Sequence, residues 1–244
     1  MEVRFDEDEF VVIDIGTGFI KAGYSGEDLP RVVIPTVLGV KNIAIDEGGN
    51  NTEVKTKTSY KVGNAAFSAR DDHELYFPIE RGVVKDWDHM TVLLQHVFDN
   101  ELGADTRNMN VLIADSPLTR KEDKQQLATI MFENFKVKSF ALMNTAVLSL
   151  FSTGTTTGLV AESGEGVTYT VPVFEGYALP HALHSLNVSG ADITNKLIRE
   201  LQNCDSPVSE KQFEYIRDIK EQMCHVSLDF DQEMLRREDP LTQE

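Results

Sequence analysis

The 244-residue chain has few cysteines, few basic residues and no long apolar run. Its two cysteines, Cys204 and Cys224, lack C-x-x-C spacing. That excludes a disulfide-rich scaffold and leaves two reduced thiols as the expected state. Lys and Arg number 23 against 40 Asp and Glu, a net charge of -17. A chain so poor in positive charge is no nucleic-acid binder, which needs basic patches to displace counterions. It is equally unsuited to anionic lipid. Neither exclusion reaches a nucleotide, because a local nest of backbone N–H groups holds phosphate within an acidic protein. No apolar stretch approaches the ~20 residues of a membrane span. The opening "MEVRFDEDEF" is acidic and carries no signal-peptide core. A soluble, intracellular, cytoplasmic protein is the expectation.

The rest of the composition is ordinary for a globular chain, with 41% hydrophobic and 26% charged residues. Strand and helix patterns alternate, which makes the class α/β. "FVVIDI" (10–15) reads as a strand, Gly16 and Gly18 as a tight turn, and "FIKAGYSG" as the returning strand. "RVVIPTVL" (31–38) is extended, with Pro35 marking an edge or bulge. The polar stretch 41–59 reads as a mobile loop, and "YFPIERGVV" follows as extended chain. Helical spacing runs from Asp88 to Leu102 through Met90, Leu93, Leu94, Val97 and Phe98. "MNVLIAD" (109–115) and "VKSFALM" are strands around the helical "KEDKQQLATIMFENF", and "TAVLSLFSTG" is a short helix closed by Gly154. Two capping-box-like starts, Ser189 with Asp192 and Ser209 with Gln212, open two further helices. The terminal "RREDPLTQE" reads as charged and frayed.

One pattern occurs twice. "VIDIGTGFIKAGYSG" and "LVAESGEGVTYTVPVFEG" share an apolar strand, an acid, an x-Gly-x-Gly turn and a returning strand. Each alone reads equally well as a tight turn beside an acid. Together, and with Lys21 behind the first turn, they read as two half-domains facing one phosphate group. Gly16, Thr17 and Gly18 would offer the first set of backbone N–H groups. Gly164, Glu165, Gly166 and Val167 would offer the second. Lys21 would reach the β- and γ-phosphates, and Asp14 would orient the waters of a Mg²⁺.

These segments carry a resemblance. "VIDIGTGFIKAGYSGEDLPR", "YFPIERGVV", "IMFENF", "AVLSLF", "SGEGVTYTVPVFEGYALPHA" and "IRDIKEQMCHVSLDFDQEM" resemble actin segments, in the same order. Sugar kinases and Hsp70-type chaperones share such hairpins but not "YALPHA" or "IRDIKE". The resemblance implies an actin-like ATPase fold, a duplicated ribonuclease-H-like architecture with two lobes around an ATP or ADP–Mg cleft. It implies a first lobe over 1–150, with a small polar-loop subdomain at about 40–76, and the start of a second lobe over 151–244. It sets Asp14 and Glu162 beside the Mg²⁺ and the attacking water. It sets Gly190, Arg217, Lys220 and Glu221 around the adenosine, although the three charges by themselves read as a solvated helix face.

The departures from the family pattern shape the functional expectation. Thr145 stands where actin has the Gln before "AVLSLY", Glu162 where it has Asp, and Tyr169 where it has the His of "GVTHT"; Glu165 is the second acid of that loop. Arg81 stands where the family has a modified His. Binding through backbone N–H groups survives such changes, whereas hydrolysis depends on positioning and loses ~10²-fold for a misplacement of about 1 Å. The polar stretch 41–59 offers little apolar area for a filament contact, at about 25 cal/mol per Å². The sequence stops shortly after "LDFDQEM", where actin continues, so an incomplete second lobe with uncovered apolar faces is expected. Those faces would lie along the helices at 190–203 and 209–226, with Ile193, Leu197, Ile216 and Met223. The expectation is therefore a cytoskeletal structural subunit with weak or absent hydrolysis, held by other chains of a larger assembly. The alternative is a conventional ATP-hydrolysing, filament-forming actin whose remainder lies outside this sequence. A kinase or chaperone ATPase is disfavoured by the actin-specific segments.

Overall fold

A computed structural model of the chain describes residues 10–45, 55–204, 208 and 212–238. The chain divides into two compact units, residues 1–190 and 191–244.

The first unit begins with β1 (Phe10–Ile15) and β2 (Phe19–Tyr24), an antiparallel hairpin in the register Ile15 to Ile20 and Asp14 to Lys21. β3 (Val32–Pro35) extends this hairpin and forms the sheet edge, where Pro35 is tolerated. β4 (Leu38–Ile45) and β5 (Lys55–Val62) pair antiparallel from Leu38–Val62 to Ile45–Lys55. The loop expected over 41–59 is thus corrected: its described flanks are ladder strands, and residues 46–54 lie outside the described residues. Polar composition did not prevent pairing, because cross-strand contacts such as Thr58 Oγ1 donating to Asn42 Oδ1 (3.1 Å) suit an exposed ladder.

α1 (Asn64–Ser68) follows, and β6 (Glu74–Tyr76) pairs with the other side of β4. β7 (Ile79–Glu80) and β8 (Val83–Val84) form a two-residue hairpin turning at Arg81 and Gly82, both at positive φ (48° and 74°). That is the primed turn such hairpins favour. α2 (Trp87–His96) starts where the Asp86 carboxylate accepts the His89 N–H at 2.9 Å. It passes into a π-helical turn over Val97–Leu102 and stops at Gly103, φ 61°. β9 (Asn110–Asp115) runs parallel to β1, α3 (Lys121–Thr129) also ends in a π-helical turn, and β10 (Ser139–Asn144) runs parallel to β9. The five-stranded sheet has the order β10–β9–β1–β2–β3. Ile13, Ile20, Val111 and Ile113 of the sheet and Met90, Leu93, Leu94 and Met131 of the helices form its core. Phe98 and Phe135 pack at 5.0 Å between the two π turns.

α4 (Thr145–Phe151) is capped by Asn144, whose Oδ1 accepts the Ala146 N–H at 3.0 Å. β11 (Gly158–Ser163), β12 (Thr168–Phe174), β13 (Tyr177–Ala178) and β14 (His184–Leu186) make a second sheet. Tyr169, Val171 and Val173 alternate along one face of β12 and bury against Ala146, Val147 and Leu150 of α4. The first unit therefore holds two hydrophobic cores, one on the five-stranded sheet and one on the sheet of β11 to β14, and each of these two sheets carries one of the two glycine hairpins.

α5 (Gly190–Asn203) begins at the residue after Ser189, as the cap pattern predicts, and leads into the second unit. α6 (Phe213–Met223) and α7 (Phe230–Glu238) follow. The second expected cap, Ser209, lies outside the described residues. Ile198 and Ile216 are buried, Leu197 is half-buried, and Ile193 and Met223 are exposed. α7 corrects the expectation that 236–244 is frayed throughout, since its helix runs to Glu238. Asp229 supplies the cap, its Oδ1 accepting the Gln232 N–H at 3.0 Å.

Candidate functional site

The first glycine turn is held from several directions. The Gly16 N–H donates to Phe19 O at 3.0 Å and closes the turn. Outside it, Thr36 donates its hydroxyl to Gly16 O (2.8 Å) and its N–H to Gly18 O (3.0 Å). The Thr17 hydroxyl accepts the Gly82 N–H at 2.9 Å, tying the turn to the β7–β8 hairpin. At the base, Lys21 Nζ pairs with Asp14 Oδ2 at 3.2 Å, with both side chains about half exposed. Cross-strand register places the two side by side.

The second turn repeats the plan. Gly164 N–H donates to Val167 O at 2.9 Å, and Gly190 N–H donates to Gly164 O at 2.9 Å. The two turns touch. A Cβ on Gly166 would lie 2.8 Å from Thr17 Cβ, and one on Gly18 would lie 3.0 Å from Glu165 Cβ. Glycine is thus required for close approach at Gly166, where the obstacle is a β-branched side chain on a turn fixed by Thr36 and Gly82.

Below the turns lies a hydroxyl–carboxylate cluster. The Ser149 hydroxyl donates to Glu162 Oε1 at 2.5 Å, and the Tyr169 hydroxyl donates to Glu162 Oε2. Tyr169 Oη also lies 2.8 Å from Thr145 Oγ1. With its proton committed to Glu162, Tyr169 accepts from Thr145, so the bonds run from Thr145 to Tyr169 to Glu162, with Ser149 joining from the other side. Burial first, and then the bond to the Glu162 carboxylate, hold the Tyr169 phenol well above the ordinary tyrosine value. The ring is only 6% exposed. Tyr169 is therefore a neutral, fixed donor at any physiological pH.

Together these elements line one cleft of about 630 Å³, within the range of small-molecule sites. It gathers Asp14, Gly16, Thr17, Gly18, Lys21, Thr145, Glu162, Gly164, Glu165, Gly166, Val167 and Tyr169, the sequence-derived candidates of the first unit other than Gly190. Gly190 adjoins the second turn through its bond to Gly164. Arg217, Lys220 and Glu221 belong to the second unit. Arg217 pairs with Glu214 at 2.7 Å, and Lys220 donates to Thr194 Oγ1 at 2.9 Å. A solvated helix face describes Glu221, whose side chain is 54% exposed, but not Arg217, which is buried. Its ion pair inside the unit is what permits that burial.

Sequence reasoning missed Ser149, Ser116 and Gly82 in the cleft wall. Ser149 had one legible signal: it lies four residues after Thr145, on the same helix face. Among the described residues, no helix is long and apolar enough to cross a membrane. A family model described as Actin matches residues 5–243 of this chain.

Proposed function

The chain belongs to the actin family, and from that premise we propose a cytoskeletal structural subunit that holds ATP or ADP with Mg²⁺ between its two glycine hairpins and hydrolyses it slowly or not at all. The observation that carries this reading is the engagement of Glu162 by Ser149 and Tyr169.

The cleft suits a nucleotide polyphosphate. Its turns bring glycine backbone to the surface of one cavity, Lys21 adds a positive charge, and Asp14 stays open enough to orient metal-bound water. Mg²⁺, when bound, neutralises charge on the phosphate oxygens while keeping several of its waters. Phosphoryl transfer asks little covalent chemistry of the protein, so the rate rests on positioning the attacking water. Here the groups that would position it bond one another instead. Releasing Glu162 to a water breaks hydrogen bonds to a charged acceptor, each worth about 1.5–3 kcal/mol. Two such bonds add about 3–6 kcal/mol to the barrier, a slowing of about 10²–10⁴-fold.

The same reading places the subunit in the cytoplasm, among other protein chains of a larger assembly. The described strands of the β4–β5 hairpin bear on it: their surface is mixed, with Lys41, Asn42, Lys57 and Lys61 beside the exposed Ile43 and Tyr60, which leaves limited apolar area for a filament contact. The test is single-turnover phosphate release from bound Mg-ATP, comparing the protein with a T145Q/E162D/Y169H variant while light scattering follows polymerisation. The expected result is slow release without polymer from the protein and release at least ~10²-fold faster from the variant. Release equal to or faster than the variant's, or filaments of the protein alone, would overturn the proposal.

A further inference from the structure

Thr36 lies outside the cleft, in the link between β3 and β4, and is 2% exposed. It is a buried polar residue whose two donors reach the same target. Its hydroxyl takes Gly16 O and its N–H takes Gly18 O, at 2.8 and 3.0 Å. In a trans peptide the C=O and the following N–H point in opposite directions. Drawing the Gly16 carbonyl back toward Thr36 therefore turns the Thr17 N–H away from Thr36. Thr17 lines the cleft and Thr36 does not, so that N–H is turned toward the cleft side. Glycine at both 16 and 18 makes the turn adaptable, and something else has to choose its orientation. The next residue extends the same anchor: Val37 O accepts the Gly63 N–H at 3.0 Å, at the end of the β4–β5 hairpin.

We propose that Thr36 is a positioning residue for polyphosphate, fixing from behind the peptide orientation with which the first glycine turn presents its N–H groups. This rests on the nucleotide reading of the cleft. Thr36 touches no ligand. It acts through Gly16 and Gly18, and its hydroxyl rather than its bulk is the part that matters. Serine keeps that hydroxyl. Valine keeps the shape and leaves Gly16 O without its donor.

The test measures the affinities of ATP and of adenosine for the protein and for Thr36→Val and Thr36→Ser. T36V is expected to weaken ATP about 10-fold, the factor for one orphaned buried hydrogen bond, with adenosine unchanged. T36S is expected to stay within about twofold for both, a change of under 0.5 kcal/mol. ATP affinity equal in T36V and the parent overturns the role of Thr36 and leaves the nucleotide reading standing. Equal weakening of ATP and adenosine overturns it too, because it marks a general structural effect. A parent protein that binds neither compound overturns both readings. Should T36V not fold, Thr36→Ala removes the same hydroxyl with a smaller side chain and carries the comparison.

Discussion

Replacing Tyr169 by Phe probes the cluster with little change of shape. The ring stays and keeps its packing on α4, so no cavity opens. What disappears is one hydroxyl that donates to Glu162 and accepts from Thr145. The first bond goes to a charged acceptor and is worth about 1.5–3 kcal/mol; the second leaves Thr145 without its acceptor. At 6% exposure, water does not readily replace the lost group. The expected loss is about 2–3 kcal/mol at pH 7, a fall in Tm of about 5–10 °C for a chain of this size. Urea titration gives the free energy and thermal melting the Tm.

The pH dependence has a definite sign. Folding raises the Tyr169 pKa above its unfolded value, so the native state keeps a proton that the unfolded chain loses in alkali. The contribution is full below about pH 10, the unfolded tyrosine value, and declines as pH rises beyond it. The gap between the protein and Y169F should be flat from pH 7 to 9 and narrow above pH 10. A difference below about 0.5 kcal/mol at neutral pH, the range of inconsequential substitutions, would refute the cluster. So would a gap that widens in alkali.

Gly166→Ala should push the turns apart, since its Cβ would lie 2.8 Å from Thr17 Cβ; a loss of about 1–3 kcal/mol in urea titration, with weaker ATP binding, is expected. Lys21→Ala should behave oppositely. Its pair with Asp14 is half exposed and worth under about 1 kcal/mol, so melting should barely change while ATP affinity, measured by titration, falls and loses part of its salt dependence.

The glycine hairpins were legible because their signal is local. An acid, two glycines two apart and a returning apolar strand determine a turn without help from distant chain, and both hairpins pair antiparallel around their glycine turns. Their meeting was inferred from the repeat alone. The contact between Gly166 and Thr17 was not legible, because it depends on how two sheets stack. The 41–59 stretch failed for a different reason. Lys, Thr, Asn and Ser suggest loop, yet they also suit a strand ladder with little burial, and only the pairing of Leu38 with Val62 reveals the register. The π turns after α2 and α3 escaped because a helical stripe looks similar at either pitch over so few residues. α7 has a local cap signal, Asp229 with Gln232, but the dense charge that follows it resembles a frayed tail. Arg217 shows the limit of charge counting, since a carboxylate three residues before it makes burial affordable.

The strand order has a consequence for how the protein is made. β1 sits inside its sheet, with β2 on one side and β9 on the other. Phe10 pairs with Asn110, so 100 residues separate the partners along the chain. At about 5–20 residues per second, a ribosome takes about 5–20 s to supply the missing neighbour. Through that interval the meander β1–β2–β3 offers an unsatisfied row of N–H and C=O groups beside Val11 and Ile13, whose side chains end up almost wholly buried. Such a nascent edge invites pairing with other nascent chains. Its completion waits on a parallel, non-local contact of the kind that forms slowly. The yield of active protein should therefore depend on shelter during translation more than on the stability of the finished fold.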